Sequence, residues 1–199
     1  MLTIETNKTN QQVNALEDLP PLVNLTELTA KLTYCRRNKI QITAFHQIPM
    51  GDWDWPNEGH KTDKCITISC LKDVIDRLKV YLEAHPYQSV RLYVTPGGVR
   101  GFFLGKPLTV EEFFSNKEGG RTLDIDPLYQ GLCERTNSFR VRTSPKLNRK
   151  NDWVAIHIGD FGAKPNQSML NLLKKGHDAR IKEALSKVKS NVKYVNATW

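Results

Sequence analysis

The sequence predicts an α+β fold: one domain in which helices flank a mixed or antiparallel central sheet. Three observations lead there. The chain has 199 residues, 39% of them hydrophobic and 25% charged, which is enough for one sizeable core. Segments with apolar residues at helical spacing are interleaved with segments that alternate apolar and polar. Arg91-Leu-Tyr-Val-Thr-Pro-Gly-Gly-Val-Arg-Gly-Phe-Phe-Leu104 joins two strand-like runs through a Pro-Gly-Gly turn, the pattern of a β-hairpin.

In chain order, residues 1–21 are polar and aperiodic and read as a flexible arm. Residues 22–162 form the expected core domain, and residues 163–199 a basic helical extension. Asn24 and Glu27 have capping-box spacing, with Leu25, Leu28 and Leu32 on one face, so a short helix is expected up to Arg36-Arg37-Asn38. Lys39 to Ile48 alternates as a half-buried strand does, and Pro49 to His60 reads as a loop from its Gly and Pro. Lys64 to Ser69 reads as a strand. Leu71, Val74, Ile75, Leu78 and Leu82 then follow helical spacing until Pro86 stops them. The hairpin runs from Val90 to Leu104, and Thr95-Pro-Gly-Gly98 suits a type II turn.

Thr109-Val-Glu-Glu112 has capping-box spacing before Phe113 and Phe114. Asp126-Pro127 opens the next helix, through Leu128, Leu132 and Cys133, because Asp caps and Pro at N1 lacks only an unpaired N–H. Phe139 to Thr143 and Trp153 to Ile158 read as strands. A basic helix follows from about Asn166 to Ser190, with a kink expected at Gly176.

The net charge of +8 is unevenly placed. Residues 1–86 carry 10 Lys/Arg against 11 Asp/Glu, whereas residues 87–199 carry 19 against 10. The excess therefore begins at the hairpin, which points to nucleic acid or another polyanion. Arg135, Arg140, Arg142, Lys146, Arg149 and Lys150 follow one another with no acid among them. Arg140 and Arg142 share one face of their strand, a spacing suited to adjacent phosphates. In the hairpin Arg91 and Tyr93 share one face, as do Arg100 and Phe102, so a base stacked on a ring and a phosphate on a guanidinium are expected. Gly98 and Gly101 leave room for another backbone or a phosphate.

Two carboxylate pairs have spacing that can hold a divalent cation, Asp124/Asp126 and Asp52/Asp54. Asp126 also has a sufficient role as a helix cap. The four cysteines form no CxxC pair and read as buried free thiols, with no zinc-ligand spacing. No apolar run approaches the roughly 18–20 residues of a spanning helix. Met1 to Lys8 lacks the basic and apolar regions of a signal peptide, so a cytoplasmic location without membrane partners is expected.

The hairpin residues Tyr93, Thr95, Gly98 and Arg100, the helix before them and the basic strand after them resemble the archaeo-eukaryotic primase superfamily, the primase-polymerases, over residues 64–158. Members of that group carry a hairpin reading roughly Tyr-x-Thr-x-x-Gly-x-His/Arg. The resemblance implies an RRM-like sheet that serves DNA replication by binding nucleotides or single-stranded nucleic acid, with Mg or Mn held by acids. The chain departs from the pattern where the acid pair at the end of the strand before the helix would fall near Ile68 to Cys70, and where Arg100 replaces the hairpin histidine. Without that pair, two-metal phosphoryl transfer lacks its ligands.

The expectation is therefore a nucleic-acid- or nucleotide-phosphate-binding domain like a divergent, non-catalytic primase-polymerase. Its contacts would be Arg91, Arg100, Arg140, Arg142, Lys146 and Arg149, with Tyr93 and Phe102 stacking. The alternatives are an active Mg- or Mn-dependent nucleotidyltransferase using Asp124, Asp126 or the Asp52/Asp54 pair, and an adaptor whose basic half meets an acidic protein.

Overall fold

Alternating β-formers on both sides of Pro96-Gly97 build the hairpin, and it is the centre of the molecule. The computed structural model describes residues 30–35, 40–54, 68–145 and 154–187. In these, β1 (Ala30–Cys35), β2 (Ile40–Phe45) and β3 (Met50–Asp54) precede helix α1 (Ile68–Ala84). The hairpin strands β4 (Ser89–Thr95) and β5 (Gly98–Phe103) follow, then α2 (Val110–Phe113) and α3 (Pro127–Thr136). Strands β6 (Phe139–Arg142) and β7 (Ile156–Gly162) lead to α4 (Gln167–Leu173), a π-helical turn (Lys174–Asp178) and α5 (Ala179–Lys187).

The α+β class holds and the described pairing is antiparallel, but the strands form two sheets rather than one central sheet. One has the order β1-β2-β6 and the other β3-β5-β4-β7. In the four-stranded sheet Val90, Leu92, Val99 and Phe103 lie toward α1, which buries Leu71, Val74, Leu78 and Tyr81; Tyr81 meets Phe103 edge-on. The opposite face carries Met50, Asp52, Arg91, Tyr93, Arg100 and Phe102. There Phe45 of the three-stranded sheet packs edge-on against Phe102, and α4 adds Met169 and Leu173 to the same core. Both faces of the hairpin are thus covered. The start of the C-terminal helix is part of the core rather than an extension of it.

Local signals held well. Thr109 and Glu112 form the reciprocal capping box, Asp126 accepts from the Leu128 N–H at 3.0 Å with Pro127 at N1, and α1 stops before Pro86. Ile40–Phe45 confirms the strand expected there, and Phe139–Arg142 the arginine strand. The last strand begins later than expected and runs on to Gly162, with a bulge opposite Leu92/Tyr93.

Three expectations need correcting. The helix expected from Leu25 up to Arg36-Arg37-Asn38 gives way over Ala30–Cys35 to β1, in which Leu32 pairs with Thr43. Thr33-Tyr34-Cys35 favour strands, and one short helix is marginal against a ladder; residues 24–29 lie outside the described ones. The loop expected from Pro49 contains β3, because pairing with β5 overrides the weak strand propensity of Gly51, Asp52 and Asp54. Ile68 and Ser69, expected at the end of a strand, open α1, and residues 64–67 lie outside the described ones. The arm over residues 1–21 also lies outside them.

The hairpin glycines serve close packing. A Cβ at Gly98 would strike the Trp53 carbonyl oxygen of β3, and one at Gly101 would lie 3.2 Å from the Trp53 ring. Gly97 is not among the positive-φ glycines, so the type II turn is not formed. Gly98→Ala is expected to lower stability by about 1–3 kcal/mol, the cost of overpacking, because the obstacle is backbone. Urea denaturation checks this, and a midpoint equal to wild type contradicts it. No helix among the described residues is long and apolar enough to cross a membrane.

Candidate functional site

Register places the chemistry. Asp52 of β3 lies opposite Arg100 of β5, which lies opposite Tyr93 of β4, so the three share one face of the four-stranded sheet. Asp54, two residues on, has the same facing and is exposed. The Arg100 side chain is only 8% exposed and its Nε stands 3.6 Å from Asp52 Oδ1. Burial raises the Asp52 pKa; Arg100 opposes this, the carboxylates of Asp54 and Asp126 raise it further, and Arg142 lowers it. The Asp126 N–H also bonds the Asp52 carbonyl at 2.9 Å, bringing the α3 cap to the β3 edge. One partly open edge therefore combines clustered acids with two arginines.

Behind Arg100 lies a buried polar line. Arg100 Nη1 approaches the Arg142 carbonyl and His177 Nε2, both at 3.4 Å. A guanidinium only donates, so Nε2 accepts and the imidazole proton sits on Nδ1. Nδ1–H donates to Asp178 Oδ1 at 2.8 Å. The Tyr93 hydroxyl donates to the same oxygen at 2.7 Å and accepts from Arg91 Nε at 2.9 Å. Arg91 Nη1 in turn grips both carboxylate oxygens of Asp160, at 2.9 and 2.8 Å. Burial would raise the Asp178 pKa, but hydrogen bonds from His177 and Tyr93 outweigh it and hold the carboxyl below its ordinary range. Burial pushes the His177 imidazole down to about 4, against the Asp178 hydrogen bond and with help from Arg100.

Of the residues the sequence singled out, Asp52, Arg100 and Arg142 meet at the β3–β5 edge. Arg140 lies two residues from Arg142 on the same face of β6, half-buried. Arg91 is occupied by Asp160 and Tyr93. Phe102 is fully buried and Tyr93 nearly so, both edge-on to His177, so the stacking platform expected there is filled by the protein itself. Thr95 and Gly98 close the hairpin, the Thr95 hydroxyl donating to the Gly98 carbonyl at 3.2 Å. Asp124 pairs with Arg77 at 2.8 Å, apart from Asp126, whose carboxyl caps α3. Lys146 and Arg149 lie outside the described residues.

β3 is the last described strand before α1, and it carries Asp52 and Asp54, whereas Ile68 to Cys70 stand in the helix. Among the described residues no group of three or more His, Cys, Asp and Glu side chains is gathered closely enough to hold a metal ion. Cys133 is a free, buried thiol.

Sequence reasoning missed His177, Asp178 and Tyr129, whose buried hydroxyl lies in the field of Asp52 and Arg100. For His177 a signal existed: Met169, Leu173, His177 and Ile181 form a stripe at four-residue spacing, and all four are buried. Compared with protein-family models, with curated proteins and with solved structures, the chain matches none.

Proposed function

We propose that this domain binds a phosphate-bearing ligand, a nucleotide or single-stranded nucleic acid, at the edge where Arg100 and Arg142 meet Asp52, with Arg140 two residues along the same face of β6. The observation that carries the reading is the convergence of two sheets on Asp52: Arg100 ion-pairs with it and Arg142 acts on it from β6. Arginine forks suit phosphate oxygens, and the basic excess of residues 87–199 supplies long-range attraction. Arg140 and Arg142 stand half-buried on one face of β6, and Arg100 donates to the Arg142 carbonyl from within.

The test is fluorescence anisotropy with a labelled single-stranded oligonucleotide across a salt series. Binding should weaken steeply with salt, and Arg140→Ala with Arg142→Ala should reduce the slope of log affinity against log salt by about 1.4, about 0.7 for each lost phosphate contact. No binding by wild type at low salt, or an unchanged slope in the double variant, contradicts the proposal.

A second reading, a Mg- or Mn-dependent nucleotidyltransferase, is favoured by one observation. Asp52 and Asp54 end the last described strand before α1 and the hairpin, whereas Ile68 to Cys70, near which the primase-polymerase resemblance would put its acid pair, stand in the helix. Mg²⁺ is held by one or two carboxylates together with substrate phosphates, so this hard-oxygen pair fits a single cation without a third protein ligand. Burial is the main cause of the raised Asp52 pKa, and a cation there would relieve the repulsion from Asp54 and Asp126 that adds to it. Metal-dependent nucleotide incorporation by wild type, abolished in Asp52→Asn, is the expected result. Oligonucleotide binding with no incorporation in either metal would leave the binding reading alone.

A further inference from the structure

An imidazole in an otherwise apolar stripe needs a reason. Met169, Leu173 and Ile181 share their buried side of the C-terminal helix with His177, which is 0% exposed. A leucine there would bury as much surface without the cost of desolvating two ring nitrogens. Both nitrogens are instead used, Nδ1 on Asp178 and Nε2 on Arg100. The backbone is shaped for this contact. The helix widens into a π turn at Lys174–Asp178, where a kink was expected at Gly176, and such turns recur at functional sites. The Gly176 carbonyl accepts from the Thr43 hydroxyl at 2.7 Å, and a Cβ at Gly176 would press on the Phe45 ring at 3.0 Å. The turn is thus seated on β2 at the one residue small enough to fit.

We infer that His177 is a positioning residue, oriented by Asp178, that holds the Arg100 guanidinium against Asp52 and the Arg142 carbonyl, beneath the place where the phosphate-bearing ligand would bind. This rests on the phosphate-binding reading. The groups facing His177 are Arg100 from β5, Tyr93 and Arg91 from β4, and Asp178 from its own turn; Asp52 and Arg142 lie beyond Arg100. The arrangement alternates in charge from Asp160 through Arg91, Asp178 and Arg100 to Asp52. It links the two edge strands of the four-stranded sheet, with a neutral imidazole between the last cation and its neighbouring carboxylate. Arg100 donates to a neutral Nε2 and would be repelled by a protonated one. The ligand consequently meets a β6 end already held by Arg100 through the Arg142 carbonyl, which lowers the ordering cost of binding.

The experiment compares wild type with His177→Phe, His177→Gln and Asp178→Ala by oligonucleotide anisotropy and by the side-chain Nε–H NMR signal of Arg100, identified from its disappearance in Arg100→Lys. His177→Phe should weaken binding about tenfold, the ratio that loss of a hydrogen bond to a charged group carries, and should make the Arg100 signal mobile. His177→Gln, which keeps an acceptor near the Nε2 position, should restore most of both. Asp178→Ala, at a side chain 30% exposed and so tolerant of truncation, should show the same loss in milder form if His177→Phe fails to fold. A folded His177→Phe or Asp178→Ala with wild-type affinity and a rigid Arg100 signal overturns the inference. If wild type binds no oligonucleotide, the phosphate-binding reading fails, while the mobility of Arg100 still decides whether His177 positions it.

Discussion

Arg100→Met is expected to destabilise the domain by about 2–3 kcal/mol, below the range for breaking a fully buried ion pair because the Asp52 side chain is 27% exposed and water can recover part of its solvation. Methionine keeps much of the length and packing of arginine, so the loss is electrostatic. It leaves the Arg142 carbonyl without the Arg100 donor, His177 Nε2 without its partner, and Asp52 facing Asp54 and Asp126 without its nearest cation. A change of that size in a domain this long corresponds to a fall in melting temperature of about 5–10 °C. Arg100→Lys keeps the charge but not the planar fork, and its loss should be intermediate. Urea titration with an unchanged m-value measures the effect. Equal midpoints for Arg100→Met and wild type would show that Arg100 carries no structural charge balance.

Lowering the pH from about 6.5 to 4 should weaken the fold by about 3 kcal/mol through His177 alone. The sign follows from the folded pKa lying below the unfolded one. The unfolded chain takes up the proton first, so the contribution is complete above the unfolded value and is lost as pH falls toward the folded value. Asp178 and Asp160, held below their ordinary range, act lower: their contributions are present above the ordinary carboxylate pKa and fade beneath it. Asp52, raised by burial, works in the opposite sense and is less costly when protonated. The difference in unfolding free energy between wild type and His177→Gln, followed over pH 7 to 4, isolates the imidazole. It should shift against wild type as pH falls, and a constant difference would mean that His177 titrates normally.

The parts of the fold legible in the sequence are those set by neighbours in the chain. The Thr109/Glu112 box, the Asp126-Pro127 start and the Val90–Leu104 hairpin depend on residues a few positions apart. Strands β1 and β3 were hidden because their stability comes from partners far along the chain, Phe139–Arg142 by way of β2 for one and Gly98–Phe103 for the other. The site was half legible for the same reason. Alternation correctly put Arg91, Tyr93, Arg100 and Phe102 on shared faces, yet alternation cannot say whether a face is covered. Here Phe45 and the π turn cover it, turning an expected stacking surface into core and drawing Arg91 and Arg100 into ion pairs with Asp160 and Asp52. Of the two expected acid pairs, Asp52 and Asp54 share the face of Arg100 once β3 is a strand, while Asp124 turns to Arg77.

The proposed function requires that phosphate is met at the β3–β5 edge and not merely somewhere on a basic protein. Titrating ¹⁵N-labelled protein with a short single-stranded oligonucleotide at low salt, followed by backbone amide NMR, tests it most directly. The largest shifts are expected at Asp52, Asp54, Arg100, Arg140 and Arg142, lost together when salt is raised. Binding that leaves those amides unmoved and shifts only the lysine-bearing surface of the C-terminal helix would contradict it.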